Sequence, residues 1–129
     1  MTSSDRGFPR TSRLLRPADF TRVYGRRASA AAGSIVVYGA PNRTADGAAR
    51  LGLSVSRRIG NAVVRNRWKR VLREAFRAVR GDVPVGHDFI VVVRSGVAPE
   101  GAAAARTLRE SLVSLARRIV ARPPGSRQP

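Results

Sequence analysis

Hydrophobic positions along the chain switch between helical and strand spacing often enough to outline a domain. Phe20, Val23 and Tyr24 recur at i, i+3 and i+4 between Pro17, which suits a first turn, and Gly25, which suits an end, so a short helix is predicted over 17–25. Ser34 to Gly39 (SIVVYG) is β-branched and aromatic. Leu51 to Ser56 (LGLSVS) alternates strictly and places Leu51, Leu53 and Val55 on one face. Both segments are predicted strands. The polar connection from Ala40 to Arg50 (APNRTADGAAR) is then a surface loop between antiparallel neighbours. Ile59-Gly60-Asn61 signals a turn before a long helix that starts near Asn61 or Ala62 and ends before Gly81. At roughly 100° per residue, Trp68, Val71, Leu72, Ala75, Phe76 and Val79 of this helix fall in one apolar arc. Asp88 to Arg94 (DFIVVVR) is continuously apolar after its first residue, as in an interior strand.

A final helix is predicted from Ala98 to Arg122. Pro99 and Glu100 suit its first turn, Leu108, Leu112, Leu115 and Ile119 form its buried stripe, and Pro123-Pro124 stops it. With a short third strand at 56–60, the order is αβββαβα, a layered α+β domain in which helices cover a sheet. No internal repeat is visible. Residues 13–122 form the predicted domain, and 1–12 and 123–129 are Ser-, Arg- and Pro-rich without periodicity, as expected of mobile tails.

Charge changes the picture from a fold to a partner. The 129 residues carry 25 Lys plus Arg against 8 Asp plus Glu, a formal charge of +17. Lys69 is the only lysine, so the charge is guanidinium, which stays ionised, grips phosphates in bidentate fashion and stacks on bases. Nucleic acid is favoured over a membrane surface. The long helix concentrates this property: from Arg57 to Arg80 there are nine basic residues and one acid, Glu74. Asn66, Lys69, Arg70, Arg73, Arg77 and Arg80 occupy the arc opposite the apolar one, and intrahelical pairing cannot neutralise them. The chain has no cysteine and no apolar run of about 18 residues, and its N-terminus lacks the apolar core of a signal peptide, so a cytoplasmic location is expected.

Protein-based catalysis finds no residues. Acid–base cleavage needs titratable groups poised near neutrality, and the one histidine, His87, lies beside Gly86 in a predicted loop. Two-metal hydrolysis needs clustered carboxylates, and the eight acids are scattered, with no two on a shared helical or strand face. Asp88 is a strand-entry carboxylate, with a role in Mg²⁺ binding as the sharper alternative.

The segment RNRWKRVLREAFR (Arg65 to Arg77) closely resembles the signature of the bacterial ribonuclease P protein family. RLGLSVSRRIGNAVVRN (Arg50 to Asn66), RLLRPADFTRVY (Arg13 to Tyr24) and DFIVVVR extend the likeness over about residues 13–95. The resemblance implies a layered αβββαβα sandwich with a left-handed βαβ crossover around the basic helix, an exception to the usual handedness. It implies an RNA-based endoribonuclease that removes the 5′ leader of precursor tRNA, with the catalytic site in an RNA subunit and this chain as accessory. Partners would be the catalytic RNA and precursor tRNA, with no membrane and no obligatory protein partner. Mg²⁺ would serve the holoenzyme, bound mainly by RNA, with no metal site in the protein.

By matching position, Arg65, Asn66, Arg67, Lys69, Arg70 and Arg73 would contact RNA. On physical grounds Arg77 joins Arg70 and Arg73 on one phosphate-gripping face, and Arg57 and Arg58 extend it. Phe20, Tyr24, Val36 and Tyr38 would line a cleft for the leader, where each base stacked on an aromatic ring contributes about 1–3 kcal/mol without regard to sequence. The plainer alternative for these aromatics is core packing. Trp68 belongs to the core, and Arg106, Arg109, Arg117 and Arg118 of the last helix are solvated or peripheral. The 40–50 loop and the Arg/Pro tail depart from the family pattern. The rival function is a ribosomal or other structural RNA-binding protein with no part in tRNA processing.

Overall fold

The computed structural model describes residues 16–42 and 47–121; the predicted tails at 1–12 and 123–129 lie outside them. The elements are α1 (Pro17–Arg26), β1 (Ser29–Ala32), β2 (Ile35–Pro41), β3 (Arg50–Val55), a 3-10 turn (Arg57–Ile59), α2 (Ala62–Val79), β4 (His87–Val93) and α3 (Ala102–Val120). The four strands form one sheet in the order β1-β2-β4-β3. β1 and β4 flank β2 antiparallel, while β3 runs parallel to β4. The αβββαβα order is as expected, and β3-α2-β4 is the parallel crossover around the basic helix.

Three expectations are corrected. The segment at 56–60 is not a strand: two arginines and a glycine offer nothing to a pleated surface, and the chain turns there instead. The third strand is Ser29–Ala32, whose alanines carry little β propensity but whose hairpin through Gly33, at φ 56°, brings it into register with β2. β2 and β3 are not neighbours, because β4 inserts between them. That strand is the most apolar of the four, and the central position pairs both its edges and covers both its faces. Finally, α3 begins at Ala102; Gly101, at φ 87°, is its N-cap, so Pro99 and Glu100 precede the helix.

The sheet carries a core on each face. On one side Ile35, Val37, Leu51, Val55, Phe89, Val91 and Val93 meet Trp68, Leu72 and Phe76 of α2 and Leu108, Leu112, Leu115 and Ile119 of α3. Each such side chain contributes roughly 1.5–3 kcal/mol on leaving water. Trp68 is fully buried, and its indole N–H donates to the Gly96 carbonyl at 3.3 Å. On the other side a smaller core of Val23, Ala40 and Ile90 is bordered by Phe20, Tyr24, Tyr38 and Val92. Among the described elements, α1 is the helix that covers that face.

The cap of α1 is unusual. Gly25 lies inside the helix, and the left-handed cap falls on Arg27 at φ 65°, ψ 20°, with its N–H bonded to the Tyr24 carbonyl. A residue with a side chain loses about 1 kcal/mol there relative to glycine.

Gly39 leaves no room for a side chain between the sheet and α3, since a Cβ there would stand 2.9 Å from Ile119 Cγ2 of α3 and 3.0 Å from Phe89 Cδ1 of the neighbouring strand. Gly39→Ala is expected to lower stability by about 1–3 kcal/mol through this overlap, read as a shifted midpoint in urea denaturation with unchanged slope.

Candidate nucleic-acid interface

A carboxylate with no access to water organises the α1 face. Asp88 is 0% exposed and its two oxygens accept four hydrogen bonds, from Arg50 Nε (2.8 Å), Arg50 Nη2 (2.7 Å), Asn42 Nδ2 (2.8 Å) and Arg22 Nη2. Arg22 reaches down from α1 and also donates through Nη1 to the Pro41 carbonyl at 2.5 Å. Asp19, in the first turn of α1, accepts the Arg16 amide at 3.0 Å and approaches both Arg22 and Arg50 at 3.4 Å. Two acids and two arginines, from α1, β3 and β4, thus fasten the helix across the sheet. Burial pushes the Asp88 carboxyl up, but the Arg50 and Asn42 hydrogen bonds and the arginine charges more than reverse this and hold it below its ordinary value. Asp19 is likewise held low, its burial outweighed by the Arg16 amide and the Arg50 and Arg22 charges.

This clamp decides which part of the sheet stays open. Register places Ala40, Asp88 and Arg50 in one row, Ser29, Tyr38, Ile90 and Gly52 in the next, and Ala31, Val36, Val92 and Ser54 in a third. The helix closes over the first row. The third row is only half-buried and lies on the same face of the sheet as Tyr38, against which the rings of α1 pack. Tyr24 packs edge-on against Tyr38 with ring centroids 4.9 Å apart, and Phe20 sits 6.2 Å from Tyr24 at a tilt of 54°. All three rings are half-buried. Burial raises the Tyr24 phenol above its ordinary value despite a hydrogen bond with Ser54 that lowers it, so the hydroxyl remains protonated at neutral pH. Of the four residues expected to line a leader cleft, Phe20, Tyr24 and Tyr38 are brought together by ring contacts, while Val36 lies one row further along the same sheet face; all four are half-buried.

The basic surface adjoins the end of this cleft. Ser54 of the third row is followed by the 3-10 turn that carries Arg57 and Arg58, both exposed, and then by α2. Gly60 lets the turn meet the helix closely, since a Cβ there would press on the Val64 side chain at 2.9 Å. Asn61 caps α2 by accepting from the Val64 amide at 3.0 Å. Arg65 is half-buried and donates from Nε to the Gly60 carbonyl at 3.2 Å, which fixes its stem over the first turn. Asn66, Arg70 and Arg77 are exposed, and Lys69 and Arg73 are half-buried. Val63, Asn66, Arg67 and Arg70 line a shallow concavity on this face.

Arg67 differs from the other cations, because it pairs with Glu100 at 2.6 Å and so tethers the start of α2 to the approach of α3. Arg57, Arg58, Lys69, Arg70, Arg73 and Arg77 make no ion pair with a described residue.

A family model described as Ribonuclease P matches residues 8–120. The chain belongs to the ribonuclease P protein family. The ribonuclease P protein component of Brevibacillus brevis is 46% identical over 88 residues, 68% of this chain and 69% of that one. That of Desulfovibrio desulfuricans is 37% identical over 118 residues, 92% and 90% of the two chains. Among solved structures, the RNase P protein of Staphylococcus aureus superposes with a TM-score of 0.66 at 33% identity, covering 85% of this chain and 95% of that one. The Thermotoga maritima RNase P protein gives 0.63 at 30% identity, covering 82% and 96%. No helix among the described residues is long and apolar enough to cross a membrane.

Several details of this family member escape its sequence. Asp19 and Asp88 share no element, yet both meet Arg22 and Arg50. With its oxygens taken by four donors, Asp88 does not fit a metal ligand. Ser54 and Val92 lie on the same sheet face as Tyr38; the polar and small residues alternating with Leu51, Leu53 and Val55 were the signal for the first, and nothing local marked the second. His87 is the first residue of β4 rather than a loop residue, stacked 6.0 Å from Phe89.

Asp88→Asn should destabilise the fold by about 2–3 kcal/mol, the low end for a broken buried pair because Arg22 and Arg50 keep partial access to water. Its lowered carboxyl contributes stability that is fully present above the ordinary value of 3.8 and is lost as pH falls through the depressed folded value. Acid titration of the unfolding midpoint should therefore show a loss below about pH 4 that is smaller in Asp88→Asn.

Proposed function

We propose that this chain is the protein subunit of ribonuclease P, binding the catalytic RNA through the α2 face and the 5′ leader of precursor tRNA through the aromatic cleft. The observation that carries this reading is the adjacency of the two surfaces: a half-buried set of rings opens at the end of β3 onto arginines with no acid of their own. Rings stack on bases of any identity, which suits a leader of variable sequence. Arginines release counterions from phosphates, which suits a structured RNA. Mg²⁺ is held on the RNA side, where phosphates supply the hard oxygen ligands it prefers, and cleavage chemistry belongs to the RNA. The protein contributes position and neutralises charge where two RNA molecules meet. The site of action is the cytoplasm, and no further protein is needed.

The test is cleavage of a labelled precursor tRNA at low Mg²⁺ by the cognate RNA subunit with protein, by the RNA subunit without it, and by protein alone. Stimulated cleavage at the mature 5′ end, with none from protein alone, is the expected result. Folded protein that gives no stimulation would instead favour a structural RNA-binding role.

Arg70→Ala combined with Arg73→Ala should weaken binding to the RNA subunit and lower the salt dependence of log K by about 2, measured by filter binding across a salt series. Phe20→Ala should weaken holoenzyme affinity for leader-bearing precursor by about 1–3 kcal/mol and leave mature tRNA unaffected; equal losses for both would contradict the cleft assignment.

A further inference from the structure

The cleft has a chemical gap. Among the described residues, the half-buried positions assigned to it, Phe20, Tyr24, Val36, Tyr38, Ser54 and Val92, offer rings, apolar surface and hydroxyls, but no charge for the backbone of a bound strand. The arginines nearest the small core, Arg22 and Arg50, are consumed by Asp88 and Asp19. A single strand held only by its bases would leave its phosphates without a cationic partner.

Arg27 fills that gap. Six described residues lie in the left-handed φ range, and five are glycines: Gly33, Gly47, Gly86, Gly96 and Gly101. The sixth is Arg27, in the left-handed position of a helix cap where glycine is preferred and asparagine next. Non-glycine residues held in such conformations cluster at binding and catalytic sites. Its place in the fold is specific. The Arg27 amide donates to the Tyr24 carbonyl at 3.0 Å, the next carbonyl, of Ala28, accepts from Gly39, and Ser29 stands opposite Tyr38 in the sheet. Arg27 is thus the hinge between α1 and β1, bracketed by the two stacked tyrosines. It is exposed and makes no ion pair with a described residue.

We propose that Arg27 is a phosphate-binding residue of the cleft, gripping the backbone of single-stranded leader RNA whose bases stack on Tyr24 and Tyr38. This rests on the leader-binding reading above and adds to it the contact that would make leader binding salt-dependent. The conformational strain is then retained because the charge, rather than the backbone shape, is what the position supplies.

Arg27→Gly separates the two roles, because it relieves the backbone while removing the charge. Holoenzyme affinity is measured for precursor tRNA with a leader and for mature tRNA, over a salt series, alongside the thermal midpoint of the free protein. The expected result is a midpoint unchanged or raised, unchanged binding of mature tRNA, leader-bearing precursor weakened by up to about tenfold at low salt, and a salt slope reduced by about 0.7. Arg27→Asn, which tolerates the same backbone without charge, should reproduce the loss, and Arg27→Lys should recover most of the affinity. Full leader affinity and an unchanged slope in both Arg27→Gly and Arg27→Asn would overturn the assignment. If the unsubstituted protein gave the holoenzyme no preference for precursor over mature tRNA, the leader-binding reading itself would fail, and the two failures are distinguishable.

Discussion

The cleft depends on one buried carboxylate. Among the described residues, α1 covers its side of the sheet with a buried core of Val23, Ala40 and Ile90, bordered by Phe20, Tyr24, Tyr38 and Val92, a small apolar contact for a ten-residue helix. Asp88 supplies direction. A charge out of water is tolerated only when its lone pairs are satisfied, and here satisfaction requires Arg50 from the adjacent strand, Asn42 beyond the end of β2 and Arg22 from the helix to converge together. With the helix held at that row, Phe20 and Tyr24 overhang the row of Val36, Val92 and Ser54, which remains half-open.

The two sides of the sheet consequently do different work. The side under α2 and α3 is a dense apolar core that supplies stability, and it turns the charged outer face of α2 toward solvent. The α1 side is thin, and its residues divide between holding the helix and presenting rings. β3 joins the two functions physically: Arg50 belongs to the clamp, Ser54 to the half-buried third row, and the turn that follows carries Arg57 and Arg58 toward the basic helix. Arg67 shows that even the basic helix is not uniform, since its pair with Glu100 assigns part of its charge to anchoring α2 beside α3.

The features legible along the chain are periodic or compositional. The α2 amphipathicity, the apolar run of β4 and the stripe of α3 follow from side-chain spacing, which local geometry translates into faces. The arginine excess determined the class of partner, because charge imbalance survives any arrangement of the chain. The family signature did the rest, marking Phe20, Tyr24, Val36 and Tyr38 as candidate leader-contact positions, which spacing alone would have left as core packing.

Tertiary structure decided what depends on neighbours distant in sequence. The insertion of β4 between β2 and β3 is invisible locally, because strand order is chosen by which strand gains most from being covered on both faces. The Ser29–Ala32 strand forms through its partner's register rather than its own propensity. Asp19 and Asp88 looked like unrelated carboxylates until the fold brought them to the same two arginines. Gly25 looked like the end of α1, yet the cap fell two residues later on an arginine. Spacing dictates which face a residue joins; only long-range contact dictates which residue must meet it and which stays free to bind something else.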